Sequence, residues 1–179
     1  MNKKFKALAI GAILGLGIVG LMGAATSVNQ TVTMGVNSMC VLAVTGNPGA
    51  LTVTAPAIGG ATPSNPTDNT TYAQYTSTVA TGTTRRLTAQ WGGADAAPSG
   101  CALRLTAAPQ GGNRGVTAGQ ITLSSTAASI VTGIRSCATG TLATNGAQLA
   151  YALAVTDVES LVSGQSRTAT ITLTLTDAS

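Results

Sequence analysis

The sequence predicts an all-β fold, an antiparallel sandwich or barrel, and three observations carry that expectation. The dominant hydrophobic period is two, as in strands that bury one face. Threonine, which is β-branched and favours strands, supplies about 30 of the 179 residues. Clusters of Gly, Pro and Asn interrupt the alternating runs at short intervals, and no run carries a strong helical period.

The elements follow in chain order. Residues 28–36, VNQTVTMGV, alternate with Val28, Val32, Met34 and Val36 on one side. This segment reads either as the first strand of its own sandwich or as an arm donated to a neighbour. Residues 39–45 and 50–55 are the next strand candidates, parted by Gly46-Asn47-Pro48-Gly49. A polar, proline-rich loop is expected over 57–70. Strands are then expected at 72–80, 84–91, 101–107, 119–124, 129–134 and 148–155. Turns fall at Gly92-Gly93, Pro98-Ser99-Gly100, Gly111-Gly112-Asn113 and Asn145-Gly146. The clearest strand is 167–176, RTATITLTLT: Ala169, Ile171, Leu173 and Leu175 face one way and the threonines the other. Arg85-Arg86, the only basic pair after the leader, would point its two side chains to opposite faces of a strand and is expected as a solvated edge feature.

The charge is unevenly divided. Lys3, Lys4 and Lys6 precede an uncharged apolar stretch over 7–25 that ends in small residues. This pattern reads as a secretory signal peptide cut after Ala25 or Ser27. The expected organisation is therefore a signal peptide at 1–25, an N-terminal arm or first strand at 26–37, and a β-sandwich at 38–179. The competing reading of 7–25 is a retained anchor, which five glycines weaken as a helix. Without the leader, six arginines face five acids. The near-neutral remainder gives no footprint for nucleic acid, and contact with membrane is expected only through the signal peptide. Charged residues are 8% of the chain and apolar residues 44%, a balance that argues against a solvated disordered chain.

The chemistry-bearing inventory is thin. With no histidine, a Ser–His–Asp or Cys–His nucleophile and a histidine-held metal are excluded. Asp157 and Glu159 are the only close acid pair; they read as a solvated loop before an acid/base pair or a calcium ligand set. No catalytic residue, cofactor or metal site is expected. Cys40, Cys101 and Cys137 would meet an oxidising compartment, so one disulfide is expected. Cys101–Cys137 is favoured, because Cys101 opens a strand after a turn and Cys137 lies in a loop-like run. Closing that loop would contribute about 3–4 kcal/mol in the chain-entropy model. Cys40–Cys101 stays open as an alternative.

The runs Tyr75-Thr76-Ser77-Thr78-Val79, Thr84-Arg85-Arg86-Leu87-Thr88-Ala89-Gln90 and Ile130-Val131-Thr132-Gly133-Ile134-Arg135-Ser136-Cys137-Ala138-Thr139-Gly140 resemble a group of uncharacterised secreted bacterial β-sandwich proteins. The run Val36-Asn37-Ser38-Met39-Cys40-Val41-Leu42-Ala43-Val44, following an alternating arm, is more distantly similar to the start of spore coat protein U-like and chaperone–usher pilin domains. The resemblance implies an immunoglobulin-like sandwich that assembles by donor-strand exchange. It departs from those pilins in the wide gap between Cys40 and Cys101.

The functional expectation is a secreted, cell-surface, non-enzymatic structural subunit of a filament, pilus or coat. Its partner would be itself, as a homopolymer, with an export chaperone as a further candidate. Val28, Val32, Met34 and Val36 are the candidate subunit-contact residues, because an alternating strand can complete a neighbour's sheet. The alternative is a monomeric secreted binding or adhesion module that uses exposed loops.

Overall fold

A computed structural model describes residues 29–92 and 97–178. The chain divides into two compact units, 1–35 and 36–179. In the first, residues 29–35 carry no regular secondary structure, and Val32 and Met34 are exposed. The expected signal peptide, its cleavage site and Val28 lie outside the described residues.

Among its described residues the second unit has ten strands and one 3₁₀ turn: β1 (Met39–Val44), β2 (Thr67–Thr78), β3 (Arg85–Gly92), β4 (Cys101–Ala108), the turn Gly112–Arg114, β5 (Val116–Thr117), β6 (Ile121–Thr122), β7 (Ala128–Ile134), β8 (Cys137–Ala138), β9 (Ala147–Val155) and β10 (Thr170–Asp177). The first sheet runs β1-β2-β9-β4-β6, with β8 also paired to β2; the second runs β10-β3-β7-β5. Every pairing is antiparallel. The two sheets share one core, so the fold is sandwich-like.

Alternation explains which side chains fill that core. β2 turns Thr71, Ala73, Tyr75 and Ser77 inward, and β9 answers with Ala147, Leu149 and Tyr151. From the second sheet come Leu87 and Ala89 of β3, Ile130 and Ile134 of β7, and Leu175 of β10. β10 behaves as its pattern predicts: Ile171, Leu173 and Leu175 pack inward, while Thr170, Thr172 and Thr174 remain in solvent. Burying one such Leu or Ile contributes about 1.5–3 kcal/mol. The Asn145-Gly146 turn launches β9. Gly146 has φ +109°, and a Cβ there would collide with the Ala73 carbonyl of β2, so only glycine lets the chain pass this closely.

Three expected strands differ. Residues 50–55 form none. Their alternation is real, since Leu51 packs on the core, but it marks the side facing the protein rather than a hydrogen-bonded partner. The 119–124 strand contracts to β6. Residues 29–36 form no strand either. Conversely, β2 begins at Thr67, inside the expected 57–70 loop. Thr67 and Asp68 pair with Ala152 and Tyr151 of β9 across a bulge before Thr71.

Candidate functional site: a cleft between two free strand edges

β1 and β10 each lie at the edge of their sheet. Near one end they meet, where the Cys40 thiol donates to the Leu175 carbonyl at 3.4 Å. Away from that contact they part, leaving a cleft of about 500 Å³. Leu42 and Val44 of β1 form one wall, Ile171 and Leu173 of β10 the other, and Thr71 and Tyr151 line the space between them. Its walls are therefore apolar side chains beside the unpaired backbone groups of two edge strands, a template for a further strand.

One polar group in the cleft is unsatisfied. Thr71 is 2% exposed and its hydroxyl has no hydrogen-bond partner. Leaving a buried hydroxyl unpaired costs about 1–3 kcal/mol. Burial, and then the charge of Asp68, push the Tyr151 phenol's pKa upward.

The rim and the closed end are fixed by charged side chains. Gly46, Asn47 and Pro48 form the rim. Asp68 holds the chain just beyond it, accepting from the Gly49 amide at 3.2 Å and from the Thr70 amide and hydroxyl at 3.1 and 2.8 Å. The Thr70 bonds, more than that of Gly49, hold the Asp68 carboxyl below its ordinary range. At the closed end Arg85 of β3 is 5% exposed, which corrects its expected place as a solvated edge residue. Its guanidinium donates to Asp177 at 2.9 Å, to the Ser38 hydroxyl at 2.9 Å, to the Ser77 hydroxyl at 3.3 Å and to the Met39 carbonyl. Adjacent strand residues point to opposite faces, so one arginine of the pair had to enter the sandwich, and polar partners were waiting for it.

The expected Cys101–Cys137 disulfide is absent; Cys40, Cys101 and Cys137 are all free thiols. Register explains why. Cys137 lies opposite Ser77 near the end of β2, whereas Cys101 lies opposite Val155 at the far end of β9. Roughly twelve strand residues separate these levels, on the order of 40 Å. Cys40 also lies opposite Ser77, on the other side of β2. It is two strand spacings from Cys137, about 9.5 Å and beyond disulfide reach. The alternative Cys40–Cys101 pairing is excluded by the same span as Cys101–Cys137. Burial raises the pKa of the Cys137 thiol, opposed by Arg114, and burial alone raises that of Cys101.

The other expected residues divide cleanly. Val32, Met34 and Val36 leave 66%, 86% and 82% of their surface in solvent, apolar side chains without cover. Asp157 organises its own turn, accepting from the Ser160 hydroxyl and the Glu159 amide, which lowers its pKa; its partner acid Glu159 supplies only that backbone contact. Sequence reasoning missed Leu42, Val44, Thr71 and Tyr151 as cleft residues. The aliphatic face of 167–176 was visible, but not that part of it would face an opening. No family model, curated protein or solved structure matches this chain.

Proposed function

We propose that this chain is a structural subunit of an extracellular filament, pilus or coat, in which residues 28–36 of one copy enter the cleft between β1 and β10 of the next. The observation that carries this reading is the cleft itself, bounded by two unpaired edges and walled by Leu42, Val44, Ile171 and Leu173. An alternating strand with Val32, Met34 and Val36 on one face has the pattern such a space takes. Those side chains are exposed, and the segment outside the leader carries no charge before Asp68 to discourage pairing. The resemblance to pilin-like domains supports an immunoglobulin-like topology and export to the cell surface through the leader.

Parity favours a second copy as the donor. If the arm folded back on β1 through a two-residue turn at 37–38, residues 32, 34 and 36 would lie opposite 43, 41 and 39. Of that face of β1 only Ala43 lines the cleft, beside the exposed Met39 and Val41, whereas Leu42 and Val44 on the other face both line it.

The test is electron microscopy of material sheared from expressing cells, beside SDS gels run with and without boiling. Filaments, and ladders that collapse on boiling, are expected. Deleting residues 26–36 should abolish both while leaving a folded domain. A lone band at the mature mass without filaments, or polymers formed by the deletion variant, would overturn the reading in favour of a monomeric binding module.

A further inference from the structure

We propose that Gln30 of the incoming arm pairs with the orphaned Thr71 hydroxyl of the accepting subunit, and that this pair sets the direction and register of strand donation. The inference rests on the strand-donation reading above and adds a residue-level rule to it. Two observations that stand apart from the rest of the cleft meet here. Gln30 is the one polar residue on the arm's otherwise apolar face of Val28, Val32, Met34 and Val36. Among the described residues, Thr71 is the one cleft-lining side chain with a buried polar atom lacking a partner. A carboxamide both donates and accepts, so it satisfies a hydroxyl in either sense.

Levels along the cleft decide the direction. The Cys40–Leu175 contact aligns β1 with β10. Steps of two from it set Leu42 beside Leu173 and Val44 beside Ile171. Val44 lies opposite Ala73, so Thr71 occupies the next inward level, beside the rim. With Gln30 at the Thr71 level, Val32 meets Val44 and Ile171, Met34 meets Leu42 and Leu173, and Val36 reaches the closed end. The arm then runs antiparallel to β1 and parallel to β10. In the opposite direction Gln30 would arrive at the closed end. Polar groups there already have partners: Cys40 on the Leu175 carbonyl, and Ser77 on Arg85. Thr71 would meet an aliphatic side chain and stay unsatisfied.

Two measurements test this on the full chain. In a background with Cys40, Cys101 and Cys137 replaced by alanine, Val32→Cys combined with Ile171→Cys should give covalent ladders on non-reducing gels, and Met34→Cys combined with Ile171→Cys should not. Separately, Gln30→Leu and Thr71→Val should each weaken self-association about tenfold, by leaving one buried polar group unpaired. The double variant should recover to within roughly threefold of the parent, because both polar groups are removed. Thermal melts of each monomer establish that the variants fold. Filaments without the 32–171 ladder, filaments with a 34–171 ladder, or undiminished polymerisation of Gln30→Leu would overturn the pairing while leaving strand donation standing. Loss of filaments in the unmodified protein would instead overturn strand donation itself.

Discussion

The guanidinium of Arg85 gathers groups from β1, β2, β10 and the segment before β1, and it does so with its side chain buried. Its partner Asp177 is 82% exposed, so the ion pair itself contributes little. The weight falls on the buried hydrogen bonds. Arg85→Ala is expected to lower unfolding free energy by about 2–3 kcal/mol, and Asp177→Asn by less than about 1 kcal/mol, both read from urea denaturation. Asp68 gives a pH-dependent contribution. Its folded-state pKa lies below the ordinary 3.8. The stabilisation is therefore complete above that value and is lost as pH falls through the folded pKa. The Gly49 and Thr70 amide resonances should shift together in an NMR titration, with a midpoint below 3.8, and the response should vanish in Asp68→Asn.

At the scale of strands, legibility followed local pattern and failed where distant partners decide. β10 could be read because aliphatic and threonine residues alternate without a break, and β3, β4, β7 and β9 lay within a residue or two of their expected bounds. The two-residue strands β5 and β8 are too short to leave a period. The early start of β2 depends on a bulge opposite β9, which no local pattern encodes. The cleft was half legible. Its aliphatic walls come from visible alternation, but the burial of the Thr71 hydroxyl without a partner depends on packing between strands distant in sequence. The turn before β9 was also visible as Asn145-Gly146, though not the reason for its glycine. Gly146→Ala must pair a strained positive φ with a collision against the Ala73 carbonyl. It should cost about 2–3 kcal/mol, seen as a lowered melting temperature with unchanged far-ultraviolet circular dichroism at 20 °C.

For the whole molecule, the proposed strand donation predicts that the domain without residues 26–36 acts as a receptor for the missing segment. A synthetic peptide spanning 28–36 should raise its melting temperature in a concentration-dependent way, as any ligand of the folded state does. A peptide with Val32 and Met34 changed to Asp should leave it unmoved. The strand order carries a different consequence, for time rather than affinity. Thr67 waits for Ala152, and Arg85 for Asp177; among the described residues no neighbouring strands are joined as a tight hairpin. Large loops must close before the contacts that reward them can form, which places folding in the millisecond-to-second range or slower. During that delay β2, β3 and β9 stand unpaired and adhesive. The yield of native protein is therefore expected to fall as the concentration of folding chains rises.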